Sequence, residues 1–361
     1  NEIAVFQGAE RLDCDLKTIL ESDLPKHTDN AKTIFAKCIN AGIDMKNVIF
    51  DTTLAAYLLN VNAADYDTER LCGEYKTEFA QNDPQTTADQ LNRALFKEIC
   101  TQGMLKVLQD IEIPLAEVLS SMEHEGIALD VDALHKFGEE IQPKIIEIEQ
   151  TIHDLAGHKF NVGSPKQLSV VLFEELQLPA GKKRKTGYST DSDTLEALID
   201  KDPIIKPILE YRKLTKLYNT YVKGLENTVS ENGRMYTTFK QTETRTGRIS
   251  SAEPNIQNIP VRTEIGRNLR KFFTASDKKV LCDADYSQIE LRVLAALAGD
   301  KVMIETFKEG RDIHAETAAS VFRRASEEVD ADLRRKAKAV NFGIVYGIGA
   351  FSLAKDIGST L

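Results

Sequence analysis

The stretch Asp285-Tyr-Ser-Gln-Ile-Glu-Leu-Arg292 lies in the last third of the chain, between an apolar run and a helical pattern. Residues 279–285 predict a β-strand, and residues 289–297 predict the helix that follows it. A carboxylate at the end of a buried strand is costly unless a cation neutralises it, and Mg²⁺ prefers one or two carboxylates together with phosphate oxygens. Asp285 is therefore a candidate metal ligand, with Asp283 on the same strand face. A strand-end cap is the alternative interpretation.

A second segment, Arg334-Arg-Lys-Ala-Lys-Ala-Val-Asn-Phe-Gly-Ile-Val-Tyr-Gly347, belongs to a predicted helix over 332–346. Arg334, Lys338, Phe342 and Tyr346 follow at successive steps of four, which places all four on one helix face. Two cations followed by two aromatic rings suit a nucleoside triphosphate, with the phosphates on the cations and the base and sugar against the rings. An amphipathic helix with incidental charges is the alternative.

A third segment, Thr246-Gly-Arg-Ile-Ser-Ser-Ala-Glu-Pro-Asn-Ile-Gln-Asn-Ile-Pro-Val-Arg262, is rich in amides and arginines. Such side chains can reach hydrogen-bond acceptors that every Watson–Crick pair presents in the minor groove, and so test pairing without reading sequence. An ordinary Asn/Gln-rich turn explains the composition equally well. The candidates are Arg248, Asn255, Gln257, Asn258 and Arg262.

Charge is unevenly distributed along the 361 residues. Residues 159–275 contain 20 Lys and Arg against 13 Asp and Glu, a net charge of +7. The whole chain carries −10, so the remainder carries −17. A basic stripe on an acidic body fits nucleic acid held in a groove, although chance fluctuation of solvated charge remains an alternative.

The composition excludes several classes of protein. No run of about 18 apolar residues is present, so a membrane span is not expected, and no secretory signal precedes the first elements. The five cysteines are far apart and form no C-x-x-C pair, which argues against a disulfide framework or a zinc site. We therefore expect a reducing, cytoplasmic location and no membrane partner.

The local patterns predict a mixture of helices and short strands. The first 110 residues combine both, and a loop is expected at 79–92, around Pro84. Two long helices with a basic tip between them, at Lys182-Lys-Arg-Lys185, predict an arm rather than a compact lobe. The predicted elements are a strand at 47–51, helices at 54–59 and from 113, a helix at 130–156 capped by Asp130, a capping box at Thr190 and Asp193, and a helix at 203–229.

The three motifs together resemble those of family A DNA polymerases. Residues 285–292 are similar to motif A, residues 334–347 to motif B, and residues 246–262 to the stretch ahead of motif A. The similarity extends from about Phe50 to the end of the chain and is greatest to the bacterial, Klenow-type members. It includes Ser164-Pro-Lys-Gln-Leu168 and Tyr211-Arg-x3-Lys216, which are similar to parts of a thumb.

The resemblance implies an α/β, multidomain (α+β) fold, that of a right-hand polymerase. A partial, degenerate, ribonuclease H-like 3′–5′ exonuclease lobe is expected over 1–110. The helical thumb and its connection to the palm would occupy 111–275. The motif A strand and helix of a partial palm, and the start of the fingers with the motif B helix, would occupy 276–361.

The resemblance also implies an activity and a set of roles. The family adds dNTPs to a primer 3′-OH on a primer–template, using two Mg²⁺ ions, and a monomer is expected. Asp285 would bind both ions with help from the Tyr286 carbonyl, and Asp285, Arg334 and Lys338 would be the catalytic residues. The implied dNTP-binding residues are Tyr286, Gln288, Glu290, His314, Arg334, Lys338, Phe342 and Tyr346, with Glu290 as the gate against ribonucleotides. The implied DNA-binding residues are Lys166, Arg212, Lys216, Arg248, Asn255, Gln257, Asn258 and Arg262.

Two departures from the family pattern affect these expectations. The later His-Asp motif, which supplies a second metal-binding aspartate, is not among these residues, so we expect the 361-residue chain by itself not to extend primers. The first 110 residues contain no Tyr-x3-Asp near 80–95, and only scattered acids are available to bind metal ions, so no proofreading is expected. Asp51 corresponds to a structural strand-end residue of the family rather than to a metal ligand.

Two other functions stay open on the sequence alone. The chain could be a primer–template binding module without activity, or a single-subunit RNA polymerase, which shares the metal-binding aspartate and the basic helix. Glu290 and the Thr246-Gly-Arg248 stretch argue against the RNA polymerase.

Overall fold

The computed structural model describes residues 14–80, 82–179, 188–259 and 264–358. Its chain divides into two compact units, Asn1–Val280 and Leu281–Leu361, which are described separately below. Arg262 and the basic tip at 182–185 lie outside the described residues. No helix in the described ranges is long and apolar enough to cross a membrane.

The first unit begins with a body of helices around two short strands. Strands β1 (Lys26–Thr28) and β2 (Val48–Asp51) pair in parallel. The helices are α1 (Cys14–Glu21), α2 (Ala31–Asn40), α3 (Thr52–Leu59), α4 (Thr68–Tyr75), α5 (Pro84–Thr101), α6 (Leu105–Val107) and α7 (Ile113–Glu125), with a π-helical turn at Leu108–Glu112. The expected strand at 47–51 and the helices at 54–59 and from 113 are confirmed. Phe50, Leu95 and Ile99 are fully buried in the core of this body, and α7 packs against α2.

The loop expected at 79–92 is wrong from residue 84 onward. Helix α5 begins at Pro84, with Asp83 as its N-cap accepting a hydrogen bond from the Thr86 amide at 3.1 Å. Proline is well suited to the first turn of a helix because the amide it lacks has no partner there. The Asp-Pro pair therefore starts a helix here instead of marking a turn.

Asp51 joins β2 to three neighbouring segments. Its fully buried carboxylate accepts hydrogen bonds from the Leu54 amide (2.7 Å), the Thr28 hydroxyl (2.7 Å) and the Ala31 amide (2.5 Å). Burial raises the pKa of Asp51 to about 6, and the nearby Asp29 adds to this, although the three hydrogen bonds oppose the shift. Asp51 is thus a structural residue at a strand end, as the resemblance implied.

A long helical arm follows. Helix α8 (Val131–Ala156) is capped by Asp130, which accepts from the Ala133 amide at 3.0 Å, as predicted. The return helix is α11 (Ile205–Lys216), and it packs against α8. It continues through a π-helical segment at Leu217–Lys223 into α12 (Gly224–Glu226). Between them lie α9 (Pro165–Val170), a π-helical turn at Val171–Glu175 and α10 (Ser192–Glu196).

The capping box expected at Thr190 and Asp193 is wrong in its N-cap, which is the next residue. Asp191 is the N-cap of α10 and accepts from the Thr194 amide at 2.9 Å. A carboxylate and a hydroxyl compete for the same position, and the Thr190 hydroxyl is occupied elsewhere by the guanidinium of Arg212.

The arm rises from a three-stranded antiparallel sheet. Its order is β4 (Arg234–Met235), β3 (Ile127–Leu129) and β7 (Phe273–Thr274), and helix α13 (Glu264–Arg270) precedes β7. Gly126 leads into β3 with φ +62° and lies so close to Tyr236 and the Met235 carbonyl that a Cβ would stand 2.7 Å from them. Glycine is therefore required at this entry to the sheet.

Strands β5 (Thr238–Lys240) and β6 (Ser250–Ala252) form an antiparallel hairpin that is anchored to the N-terminal body. The Gln241 amide donates to the Glu112 carboxylate at 2.6 Å, and the Tyr57 hydroxyl donates to the Thr244 carbonyl at 2.7 Å. The Phe239 amide donates to the Glu123 carboxylate at 2.6 Å. We call these three contacts the hairpin anchors.

The second unit is helical throughout its described elements. These are α14 (Ile289–Ala298), α15 (Lys301–Lys308), α16 (Ile313–Phe322), a 3₁₀ turn at Ser326–Glu328, α17 (Ala331–Tyr346) and α18 (Ala350–Ile357). The predicted helices at 289–297 and 332–346 are confirmed. The strand predicted at 279–285 is wrong: the segment is exposed and irregular, and within the described residues no strand pairs with it. A strand needs a partner for its ladder of hydrogen bonds, and an apolar pattern alone does not supply one.

Candidate active site

The turn before α14 places the motif A residues. Asp285 and Tyr286 are exposed, and Gln288 adopts a left-handed conformation (φ +58°, ψ +39°) as the N-cap of α14. Arg292 stabilises this turn, since its Nε donates to the Ser287 carbonyl at 2.8 Å and its guanidinium lies 4.5 Å from the centre of the Phe307 ring. The turn therefore has a defined shape although it contains no strand.

Asp285 is available to a cation. Within the described residues its carboxylate has no hydrogen-bond or ion-pair partner, and the neighbouring Tyr286 carbonyl adds a second hard oxygen. No cluster of three or more His, Cys, Asp or Glu in the described ranges forms a closed metal cage. These few oxygen donors fit Mg²⁺, which keeps most of its coordination sphere for water and substrate phosphates.

Helix α17 presents the predicted stripe. Arg334 and Lys338 are exposed, the Lys338 ammonium lies 5.7 Å from the centre of the Phe342 ring, and Phe342 is stacked on Tyr346 with ring centres 6.2 Å apart and planes 9° apart. The helix begins at the N-cap Asp330, which accepts from the Leu333 amide at 2.8 Å. Two cations and two stacked rings thus follow each other along one face, in the order that the sequence predicts.

Arg334 is held by an acid from the neighbouring helix. Its Nε lies 2.5 Å from the Asp312 carboxylate, which also caps α16 by accepting from the His314 amide at 2.9 Å. Partial burial raises the pKa of Asp312, but Arg334 and the backbone amides of His314 and Ala315 outweigh it, so the net shift is downward. Asp312 is therefore a carboxylate throughout the physiological range, and it holds Arg334 in place.

His314 lies between α16 and α17. It is 1% exposed, its Nδ1 lies 2.9 Å from the Asn341 side-chain amide, and its ring centre is 6.0 Å from that of Phe342. Burial lowers the pKa of His314; Asp312 raises it in part, and Arg334 and Lys338 lower it further. The neutral imidazole is thus favoured in this setting.

Glu290 is half-buried in the first turn of α14, five residues after Asp285. A carboxylate at the start of a helix is favourable because it faces the positive end of the helix dipole. The placement leaves its predicted role as a sugar gate open to test.

The amide-rich segment lies on the β5–β6 hairpin and the turn after it. Arg248, Asn255, Gln257 and Asn258 are all exposed. Asn255 accepts from the Gln257 amide at 3.0 Å, and the Gln257 side chain donates to the Ile249 carbonyl at 2.8 Å. The Tyr221 hydroxyl binds the Asn258 carbonyl. The turn is therefore ordered by its own contacts and presents its amides to solvent.

The arm carries the remaining predicted cations. Lys166, Arg212 and Lys216 line one groove of about 1280 Å³, together with residues of α9, α11 and the 188–191 segment. Lys166 and Lys216 are exposed, whereas Arg212 is half-buried and binds both the carbonyl and the hydroxyl of Thr190. Lys166 and Lys216 are thus exposed in the groove, whereas Arg212 binds Thr190, which lines it.

The structure also shows contacts that the sequence reasoning missed. Asp312, Thr317, Asn341 and Arg292 were not singled out, yet they hold Arg334, His314 and the motif A turn. Asn341 could have been found from its spacing, because it follows Arg334 by seven residues and Lys338 by three and therefore lies beside the stripe.

Comparison with known proteins identifies the family of this chain. Residues 131–361 match the family described as DNA polymerase family A. The chain is 42% identical over 370 aligned positions to DNA polymerase I of Lactococcus lactis subsp. cremoris (96% of this chain, 42% of that protein). It is 42% identical over 345 positions to DNA polymerase I of Bacillus subtilis (88% and 39%). It is 45% identical over 320 positions to the thermostable DNA polymerase I of Thermus caldophilus (85% and 37%).

A solved structure agrees with the sequence comparison. The POL domain of Pol1 from M. smegmatis, in complex with DNA primer–template and dNTP, has a TM-score of 0.85 at 37% identity, covering 96% of this chain and 62% of that one. The mixed, helix-rich α/β fold is therefore that of a family A polymerase domain. The chain spans about two fifths of the length of the curated relatives it matches. Sequence, fold and motif geometry agree: this chain belongs to DNA polymerase family A.

Proposed function

We propose that this chain supplies the primer–template grip and the nucleotide-binding helix of a DNA-directed DNA polymerase, a nucleotidyltransferase of replication and repair. The observation that carries the proposal is the single face of α17 on which Arg334 and Lys338 precede the stacked rings of Phe342 and Tyr346. This order matches a dNTP, whose charged triphosphate and flat base are joined through the sugar.

Each residue of the site has a proposed role in binding the nucleotide. Arg334 and Lys338 bind the triphosphate and offset its charge, and the Asp312 carboxylate keeps Arg334 oriented before the nucleotide arrives. Phe342 and Tyr346 give the base and sugar an apolar surface, with Tyr286 and Gln288 bordering the nucleotide from the motif A turn. His314 contacts the phosphates, and Glu290 lies beneath the sugar.

Asp285 and the Tyr286 carbonyl would hold Mg²⁺, and we propose that two ions take part. When bound, the metal polarises the reacting phosphate and favours the ionised primer 3′-hydroxyl. The exposed, unpartnered carboxylate of Asp285 in the described part of the chain supports this assignment.

The DNA would be held by the first unit. Lys166 and Lys216 face the arm groove and bind phosphates, and Arg248, Asn255, Gln257, Asn258 and Arg262 follow the minor groove and the primer end. We assign residues 1–110 to a degenerate exonuclease-like domain, 111–275 to the thumb and its connection, and 276–361 to parts of palm and fingers. We also propose that the protein is a monomer in the bacterial cytosol. In agreement with a reducing compartment, Cys38, Cys72, Cys100 and Cys282 are free thiols.

Primer extension tests the proposed activity. The whole natural protein is mixed with a primer–template, Mg²⁺ and either dNTPs or rNTPs, beside an Asp285→Asn variant. Extension with dNTPs that Asp285→Asn abolishes supports the proposal. Equal extension with rNTPs would instead indicate an RNA polymerase, and DNA binding without extension would indicate a binding module.

The same protein tests the absence of proofreading. Release of a 3′-labelled nucleotide from single-stranded DNA in Mg²⁺ is not expected, because Asp51 is buried in structural hydrogen bonds. Cleavage that survives Asp285→Asn and disappears in an Asp29 or Asp51 variant would contradict this expectation.

A further inference from the structure

Tyr57 is a buried tyrosine of α3 whose hydroxyl reaches out of the N-terminal body. The residue is 2% exposed, and its ring packs edge to face against that of Tyr66, with ring centres 6.1 Å apart. A buried phenol hydroxyl is costly unless it is hydrogen-bonded. Here its partner is the Thr244 carbonyl, at 2.7 Å, in the loop between β5 and β6. A buried side chain of the body therefore binds the hairpin loop.

A second hydrogen bond continues from Thr244 to Arg248. The Thr244 hydroxyl donates to the Arg248 carbonyl at 2.6 Å and so closes the turn 244–248, in which Gly247 has φ +75°. In both bonds the acceptor is a backbone carbonyl oxygen, which can only accept, so the hydroxyl is the donor in each. The two bonds form a chain from Tyr57 through Thr244 to the backbone of Arg248.

The backbone on either side of this turn is also held. On one side the Gln241 amide binds the Glu112 carboxylate at 2.6 Å, and on the other the Gln257 side chain donates to the Ile249 carbonyl at 2.8 Å. Arg248 is exposed, so its side chain reaches solvent from a backbone that is fixed on both sides. Such preorganisation lowers the entropy that an arginine loses when it binds a ligand.

We propose that Tyr57 is a positioning residue that acts through Thr244 to hold Arg248 in the orientation in which its guanidinium meets the minor groove at the primer end. This inference rests on the proposed function, which assigns Arg248 to that groove. A guanidinium that is fixed in place distinguishes the acceptors of a Watson–Crick pair from the displaced acceptors of a mismatch, whereas a mobile one follows both. The N-terminal body would thus contribute to testing base pairing without touching DNA.

The first test compares two tyrosines of the same body. The Tyr66 hydroxyl donates to the Asn60 carbonyl at 2.9 Å, so Tyr66→Phe and Tyr57→Phe each remove one hydroxyl–carbonyl hydrogen bond, but only Tyr57 reaches the hairpin. The whole protein extends primers with a paired or a mismatched 3′ end, and the ratio of the two kcat/KM values is measured. We expect Tyr57→Phe to lower this ratio about fivefold and Tyr66→Phe to leave it unchanged.

The ratio does not depend on how much of a variant is folded, because unfolded protein lowers both rates equally. An unchanged ratio in Tyr57→Phe, or an equal loss in Tyr66→Phe, therefore overturns the proposal.

Variants of Thr244 test the second hydrogen bond of the chain. Thr244→Val keeps the shape of the side chain but removes the hydroxyl, and we expect it to lower the ratio about as much as Tyr57→Phe does. Thr244→Ser retains the hydroxyl and should keep the ratio within about twofold of wild type. Equal ratios in these two variants would overturn the role of Thr244.

A double-variant cycle tests whether Tyr57 acts through Arg248. In an Arg248→Ala protein, the further change Tyr57→Phe should not lower the ratio again, because the group that it positions is gone. The same loss on both backgrounds overturns the positioning role. An unchanged ratio in Arg248→Ala alone would instead contradict the assignment of Arg248 to the primer end in the proposed function.

Hydrogen exchange of the hairpin amides at 238–240 and 250–252, without DNA or nucleotide, provides an independent test. We expect exchange about fivefold faster in Tyr57→Phe than in wild type, and no change in Tyr66→Phe. Unchanged exchange in Tyr57→Phe would show that Tyr57 does not hold the hairpin, and would overturn the proposal. This measurement requires no polymerase activity, so its failure is distinct from failure of the proposed function.

Discussion

At the scale of single residues, α17 contains its own control for the phosphate-binding role. Lys338 lies on the stripe beside Phe342, whereas Lys336, two positions earlier, pairs with Asp332 at 2.8 Å. Lys338→Met should lower kcat/KM for dNTPs about ten- to a hundredfold, because a charge-assisted hydrogen bond contributes about 1.5–3 kcal/mol. Lys336→Met should change it less than about threefold. Steady-state extension by the whole protein measures both, and equal losses would remove the distinction between the two faces.

Glu290 is the residue whose replacement should alter the choice of sugar. A carboxylate beneath the sugar leaves a 2′-hydroxyl without room or a good partner, which costs about 1–3 kcal/mol before any steric clash. Glu290→Ala should therefore raise rNTP incorporation relative to dNTP by roughly tenfold or more, while dNTP extension stays measurable. Competition assays with paired rNTP and dNTP give the ratio. An unchanged ratio would remove the gate assignment.

At the scale of elements, the stability of the N-terminal body should depend on the state of Asp51. Its pKa of about 6 lies above the ~3.9 of an unfolded Asp, so the folded body binds this proton more tightly than the unfolded chain does. Its contribution to stability is therefore full below about pH 4, decreases by about 3 kcal/mol as the pH rises to about 6, and is constant above that. Hydrogen exchange of the α3 amides, corrected for intrinsic exchange, should show this decrease in the wild type and not in Asp51→Asn.

Replacing Asp51 by alanine, beside the same replacement of Asp83, compares the stability contribution of a buried helix cap with that of an exposed one. Asp51→Ala at pH 7.5 leaves the Ala31 and Leu54 amides without an acceptor and should lower the free energy of unfolding of this body by about 2–4 kcal/mol. Asp83 also caps a helix but is exposed, so Asp83→Ala should lower the free energy of unfolding by much less. Exchange of the same amides reports both, and similar costs would show that burial of the carboxylate is unimportant.

The elements that the sequence predicted well are those with local causes. Helices α8, α14 and α17 combine a helical apolar period with a capping or motif residue at their start, and each lies within a few residues of its predicted bounds. The strand at 279–285 failed because strands depend on partners that local pattern does not contain. On the site, the stripe was predictable from spacing alone, whereas the Asp312–Arg334 and His314–Asn341 contacts depend on how α16 packs against α17.

At the scale of the whole molecule, DNA binding should be electrostatic and carried by the exposed cations of the arm groove. Each phosphate contact contributes about −0.9 to the slope of log K against log salt concentration. Lys216→Ala should make that slope shallower by about one, whereas Lys206→Ala, on the same helix but outside the groove, should leave it unchanged. Binding of a labelled primer–template across a salt series measures the slopes. Identical changes for both lysines would contradict the placement of DNA in this groove.

The uneven distribution of charge along the chain could be predicted from the sequence. The different roles of the basic residues in the groove could not. Lys166, Arg212 and Lys216 are equivalent as charges, yet Arg212 binds the Thr190 carbonyl and hydroxyl while the two lysines stay exposed. Burial lowers the pKa of Arg212 despite the opposing effect of Asp191. Only the fold shows that one of the three cations is a structural residue.

The hairpin anchors have an evolutionary consequence. If the N-terminal body no longer hydrolyses DNA, selection cannot preserve its residues for catalysis. It can still act through Tyr57, Glu112 and Glu123, because their loss would leave the hairpin that presents Arg248 without its polar supports. We therefore expect the sequence of this body to change quickly elsewhere on its surface and slowly at these three positions. A domain that no longer catalyses a reaction would then be retained because it supports the hairpin.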